Sequence, residues 1–132
     1  MARRKRNGVK HAYKSNWEKQ VADILVANGI PVVYEADVIP YTVPQSNHKY
    51  KPDFKIRDGV YIESKGIFDA KDRQKILLLK EQRPDITILM LFQNANQKLY
   101  KGGKSSYGDW CTKNGIAWSH KIIKKEWLRE AT

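Results

Sequence analysis

The chain has 132 residues, enough for one hydrophobic core and too few for two. Its 25 Lys and Arg against 14 Asp and Glu give a formal charge of +11, and 41% hydrophobic with 11% aromatic content argues against a disordered chain. No apolar run approaches the ~20 residues of a membrane span, so no membrane partner is expected. No apolar stretch follows Arg3–Arg6, so no secretory leader is expected either. The one cysteine, Cys111, cannot form an internal disulfide and suits a reducing compartment. The charge is uneven: residues 1–17 carry Arg3, Arg4, Lys5, Arg6, Lys10 and Lys14 and no acidic residue. A basic arm on a mildly basic body points to nucleic acid as the partner.

Residues 1–14 show no apolar period and read as that arm, with 15–132 as a single domain. Ser15-Asn16-Trp17-Glu18 has capping-box spacing and opens a helix that carries Trp17, Val21, Ile24 and Leu25 on one face. Asn28-Gly29 ends it. Pro31–Glu35 reads as a strand, with Pro at its first position. Val38–Pro44 is apolar and β-branched, but Pro40 and Pro44 disfavour both a helix and a central strand. An extended edge strand or a bridge to another subunit is the expectation there. Gln45–Tyr50 reads as a polar loop.

Asp53–Arg57 and Val60–Lys65 predict a hairpin around Asp58-Gly59. A second helix is expected from about Ala70 to Arg83, capped by Asp69 and stopped by Pro84. Ile86–Phe92 is an apolar run that reads as a buried strand. A short Lys98–Tyr100 strand, Gly102-Gly103 and a third helix near Ser106–Lys113 follow, the helix stopping at Asn114-Gly115. Ile116–Trp118 reads as a short strand and Lys124–Leu128 as one helical turn. The order α-β-β-β-β-α-β, with small additions, predicts an α/β fold in which a mixed sheet is flanked by helices.

The hairpin carries the chemistry. With a two-residue loop, Asp58-Gly59, each face would mix apolar and charged residues. A three-residue loop, Arg57-Asp58-Gly59, sorts them: Phe54, Ile56, Val60 and Ile62 on one face, and Asp53, Lys55, Tyr61, Glu63 and Lys65 on the other. Asp53 then faces Glu63, with Cβ atoms about 4.5–5.5 Å apart, and Lys65 lies two residues along the same face. Two carboxylates that close repel unless a proton or a cation intervenes. A hard divalent ion such as Mg²⁺ meets that need. Lys65 is placed to orient or deprotonate a water, or to stabilise a phosphate oxygen. These are the parts of a metal-assisted phosphodiester hydrolase. The competing reading is a surface sheet face whose cross-strand charges pair for modest stability.

Pro52-Asp53 followed by Glu63-Ser64-Lys65 resembles the PD-(D/E)xK nuclease signature. More of the chain resembles the endonuclease I family of T-seven-like bacteriophages, which resolve Holliday junctions. The resemblance runs through Trp17-Glu18, Tyr34-Glu35, Ser46-Asn47-His48, Asp72-Arg73, Leu99-Tyr100-Lys101-Gly102, Ser106-Tyr107-Gly108 and Gly115-Ile116. It implies a restriction-endonuclease-like core in an intertwined, domain-swapped dimer, with the bridge within about residues 41–51. It implies that Asp53 and Glu63 bind one or two Mg²⁺ or Mn²⁺ per site, with the Ser64 backbone carbonyl as a further ligand. Lys65 would be the catalytic lysine and Glu18 a second-metal or water-positioning carboxylate, contributed by the other chain. The substrate would be four-way or otherwise branched DNA, with no small-molecule cofactor, and the setting the cytoplasm of a bacterial host.

The alternatives are a nuclease of the same fold acting on duplex DNA, or a basic DNA-binding module without catalysis. The arm, with Lys71 and Arg73 of the second helix, would contact phosphates. Glu35 is open between a site acid and a surface charge. His48 reads as a loop hydrogen-bonding residue, the four tryptophans as core, and Cys111 as packing in the third helix.

Overall fold

The computed structural model describes residues 12–43 and 46–129. Arg3, Arg4, Lys5, Arg6 and Lys10 of the expected arm, and Pro44, lie outside the described residues. The elements in order are α1 (Asn16–Ala27), β1 (Ile39–Val43), β2 (Ser46–Tyr50), β3 (Phe54–Arg57) and β4 (Val60–Lys65). Then come α2 (Ala70–Gln82), β5 (Thr87–Phe92), α3 (Tyr107–Lys113), β6 (Trp118–His120) and α4 (Lys125–Leu128).

Four strands form one sheet in the order β3-β4-β5-β6. β3 runs antiparallel to β4, whereas β4, β5 and β6 are parallel. The parallel neighbours need crossovers, which α2 and α3 supply. Alternation along the central strands sends side chains to two cores. Ile62, Leu89 and Leu91 meet Trp17, Val21, Ala22 and Leu25 of α1, with Phe54 and Trp127, on one face. Tyr61, Met90 and Phe92 meet Ile76 and Leu79 of α2 and Tyr107 and Cys111 of α3 on the other. The result is the expected mixed sheet flanked by helices.

Local chemistry sets the helix ends. Ser15 Oγ accepts the Glu18 N–H at 3.1 Å. The reciprocal half of the expected capping box does not form, because the Glu18 carboxylate is taken by the Lys14 N–H and the Tyr34 hydroxyl. Full capping boxes close α2 (Asp69 with Asp72) and α3 (Ser106 with Asp109). Burial pushes the Cys111 thiol up to about 12, which fits packing and not reactivity. Trp17 and Trp127 are buried, and Trp110 and Trp118 pack against the core.

The sheet departs from expectation at four places. Pro31–Glu35 is not a strand. It makes one bridge, Tyr34 with Phe54, flanked by Glu35 N–H to Asp53 O at 3.0 Å and Lys55 N–H to Val33 O at 3.3 Å. Glu35 adopts φ +50, which takes the chain out of the extended conformation. Residues 46–50 are a strand and not a loop: β2 pairs antiparallel with β1, from Ile39 opposite Tyr50 to Val43 opposite Ser46. β2 is mostly solvated, so its sequence is polar; Ile39 and Tyr50 are buried in the core and Tyr41 packs against it. Lys98 to Tyr100 contributes a single bridge, Lys98 with Ser106. The last strand lies at Trp118–His120, because Ile116 is held back by its N–H bond to Cys111 O at the end of α3.

The hairpin register is as expected, but its device is different. Phe54 faces Ile62 and Lys55 faces Tyr61. Arg57 faces Val60, so the turn holds two residues, Asp58-Gly59, with Gly59 at φ +75. The odd residue is absorbed by a β-bulge between Lys55 and Arg57 instead of by a third loop position. The bulge performs the same sorting of faces.

Candidate active site

The register of β3 on β4 carries on to bring Asp53 beside Glu63. Both carboxyls are buried, at 8% and 5% exposure, and Glu18 of α1 is buried beside them at 8%. The Ser64 N–H and Oγ each donate to Asp53 Oδ2 at 3.0 Å and fix that carboxylate. The Tyr50 hydroxyl donates to Glu63 Oε1 at 2.6 Å. Lys65 Nζ lies 3.8 Å from Glu63 Oε2 and 3.2 Å from Asp72 Oδ1. The Lys75 ammonium sits over the Tyr50 ring, 5.5 Å from its centroid.

A second group of acids flanks Asp53. Glu18, Glu35 and Asp53 each present a carboxylate oxygen, and the three oxygens lie within 4.8 Å of one another. Glu18 Oε1 accepts from the Tyr34 hydroxyl at 2.7 Å and the Lys14 N–H at 2.8 Å. Glu35 is paired with Lys14 Nζ at 3.0 Å and, more loosely, with Lys51 Nζ at 3.9 Å. Glu35, at a left-handed backbone position, presents its carboxylate to the same point as Asp53.

The electrostatics follow from this crowding. Burial, then the charges of Glu63 and Glu18, push the Asp53 carboxyl up to about 8, against the hydrogen bonds from Ser64. Burial also raises Glu63, opposed by the Tyr50 hydrogen bond and by Lys65 and Lys75. Glu35 is pulled the other way: burial would raise it, but its hydrogen bonds from Lys14 and Tyr34 and the nearby ammonium groups hold it below the usual range. Burial would lower Lys65, but the charges of Glu63 and Asp72 outweigh that and keep it above the ordinary lysine value. Asp53 therefore holds a proton that its surroundings would exchange for a cation. Oxygen donors alone, from several carboxylates around one point, suit a hard divalent ion.

The chain matches the phage endonuclease I family model over residues 1–132. It is 42% identical over 119 residues to "Endonuclease I" of Escherichia phage T7, covering 90% of this chain and 80% of that protein. It is 43% identical over 119 residues to "Endodeoxyribonuclease 1" of Enterobacteria phage T3, covering 90% of this chain and 78% of that protein. The chain belongs to the phage endonuclease I family. For a member of that family, a cluster of buried acids with an adjoining lysine is the natural place to look for a divalent-metal site. Among the described residues no helix is long and apolar enough to cross a membrane.

The structure brings Glu18, Asp53, Glu63, Ser64 and Lys65 together in this chain. It also shows partners that sequence reasoning missed. Tyr50 was hidden in a segment read as loop, although it is the one aromatic in a polar run just before Pro52-Asp53. Tyr34, Asp72 and Lys75 gave no signal by spacing. Of the residues assigned to DNA contact, Lys71 is exposed, while the Arg73 guanidinium donates to Phe68 O at 2.7 Å and anchors the segment after Lys65. Lys14 is engaged with Glu35. His48 lies on the exposed ribbon, 3.0 Å from Ser46 Oγ, apart from the acids.

Proposed function

We propose that this phage endonuclease is a metal-dependent, structure-selective endodeoxyribonuclease that resolves four-way DNA junctions, built on a PD-(D/E)xK core. The observation that carries the proposal is the buried Asp53 carboxyl, raised to about 8 between Glu63 and Glu18, with Lys65 on the same hairpin. Asp53 and Glu63 would hold Mg²⁺ or Mn²⁺, with the Ser64 carbonyl as a further ligand. A cation bound there supplies positive charge beside the scissile phosphate and makes water a better nucleophile. The Ser64 N–H and hydroxyl keep Asp53 aimed, and the Tyr50 hydroxyl keeps Glu63 aimed. Lys65, paired with Glu63 and Asp72, is placed to stabilise a phosphate oxygen or to orient or deprotonate a water. Glu18 and Glu35 complete the acidic wall, where Glu18 positions water or a second cation.

The active protein in this proposal is a homodimer. Residues 44 and 45 join β1 to β2, and the pairing of Ile39–Val43 with Ser46–Tyr50 can be satisfied by a partner's strand in the same register. Exchange across that ribbon keeps every contact of the site and makes it composite, with Glu18 from one chain and Asp53, Glu63 and Lys65 from the other. Two such sites about a two-fold axis match two strands of a branched substrate. The basic arm, Lys14 and Lys71 would track phosphates without reading sequence, and branch geometry and deformability would give selectivity. The setting would be the cytoplasm of an infected bacterium.

The test is cleavage of a four-way junction and of a duplex with the same arms in Mg²⁺, for the native chain and Glu63→Ala. Junction-selective cleavage by the native chain, lost in Glu63→Ala, is the expected result. Equal rates on the two substrates would make it a duplex nuclease, and no cleavage of either would make it a binding module. A monomer by sedimentation at micromolar concentration would overturn the composite site.

A further inference from the structure

Because β4 and β5 are parallel and Lys65 pairs with Phe92, the segments after both strands leave the sheet at the same end. The link is direct: the Gln93 N–H donates to Lys65 O at 3.0 Å. In open α/β sheets, ligands bind at this carboxyl end of the strands. The segment after β5 doubles back as a tight loop over residues 98–106. The Lys98–Ser106 bridge closes its base, with Leu99 N–H to Ser105 O at 3.0 Å and Gly103 N–H to Tyr100 O at 2.9 Å. Lys98 Nζ donates to Lys104 O at 3.0 Å and ties the two limbs together.

At the tip, Tyr100 is 68% exposed, among the most exposed large hydrophobic side chains described. It is not loose. Its ring lies against Gly103: a Cβ there would stand 2.9 Å from Tyr100 Cε2 and 3.0 Å from Cζ, so a side chain at 103 would push the ring away. Gly102, at φ +80, makes the turn that allows this. Lys101 and Lys104 lie in the same loop as Tyr100, both exposed, and no acidic residue occurs between Asp85 and Asp109. An aromatic face backed by glycine and opened to solvent, in a loop that carries exposed lysines, has the composition of a base-stacking platform.

We propose that Tyr100 stacks on a nucleobase left unpaired or partly unstacked at the branch point of the DNA, with Lys101 and Lys104 on the neighbouring phosphates. This rests on the reading of the protein as a junction endonuclease and names a residue that recognises the branch. Intact duplex offers no free base face along its length, so the contact favours branched over linear DNA.

The experiment uses the full chain in metal-free buffer, with a four-way junction carrying 2-aminopurine at the branch point and a duplex of the same arms. Native protein, Tyr100→Phe and Tyr100→Ala are compared by affinity and by 2-aminopurine fluorescence. Tyr100→Ala is expected to weaken junction binding about tenfold with little change on duplex, and to remove the fluorescence change on binding. Tyr100→Phe keeps both. Because the side chain is exposed, its removal opens no core. Equal loss in Tyr100→Phe and Tyr100→Ala would assign the contact to the hydroxyl and overturn stacking. Native-like behaviour of Tyr100→Ala would overturn the platform altogether. Equal affinity of the native protein for junction and duplex would instead strike the underlying reading of junction selectivity.

Discussion

Two antiparallel hairpins follow one another in this chain, and their polar residues do opposite things. In β1–β2, Ser46, Asn47, His48 and Lys49 are exposed, and their hydrogen bonds are local, such as Thr42 Oγ1 to Asn47 Oδ1. In β3–β4, Asp53, Glu63 and Ser64 are buried, and two of the three are carboxyls. Exposed polar residues cost a fold little. Buried like charges cost it a great deal, and a protein retains them where another charge completes them. The contrast singles out the second hairpin as the place of chemistry and the first as an adaptable ribbon.

Breaking the buried pair should give the largest effect. Asp53→Asn is expected to lower Mg²⁺-dependent cleavage by at least about 100-fold, while raising the melting temperature of the metal-free protein at pH 8.5, where the native carboxyl is ionised. A gel assay and a thermal melt read the two, and a parallel fall in both would contradict the contrast.

Next comes Tyr50→Phe. It removes the hydroxyl that donates to Glu63 at 2.6 Å inside the core. A loss of about 1–3 kcal/mol is expected by urea unfolding, together with about 10- to 100-fold weaker metal affinity or activity. Glu35→Gln, farther out and partly solvated, should weaken metal binding about tenfold at most and leave the fold intact by circular dichroism.

The metal-free protein should also show an unusual pH dependence. Between the ordinary aspartate value of 3.8 and about 8, folded Asp53 keeps a proton that the unfolded chain has released. The Asp53 contribution to stability is therefore fully present below about 4 and lost as pH rises through about 8. Unfolding midpoints across that window should fall with pH in the native protein and lose that component in Asp53→Asn. At the small end, His48→Ala on the exposed ribbon should change stability by no more than about 0.5 kcal/mol.

Sequence patterning made the buried hairpin legible because burial imposes a strict period of two, and only one pairing separates Phe54 and Ile62 from Asp53 and Glu63. The bulge that realises that pairing was not legible, since a bulge and a third loop residue sort the faces equally well. The capped helices and the apolar strand β5 could be read for the same reason: local signals and tertiary burial agreed. The ribbon strand 46–50 could not, because a solvated strand has no apolar alternation to betray it. Glu35 joins the acidic cluster from a left-handed backbone position, which no composition rule anticipates. Tyr50 and Asp72 act through contacts from β2 and α2 onto β4 that spacing along the chain does not encode.

The central claim, that the buried Asp53–Glu63 pair is a divalent-metal site, is tested most directly by counting protons. Mg²⁺ or Mn²⁺ is titrated into metal-free protein at pH 7, and proton release is measured in a weakly buffered solution. Because Asp53 titrates at about 8 without metal, binding should release about one proton per chain, and Asp53→Asn should abolish that release. Saturable metal binding with no proton release, or binding unchanged in Asp53→Asn, would place the metal elsewhere and contradict the assignment.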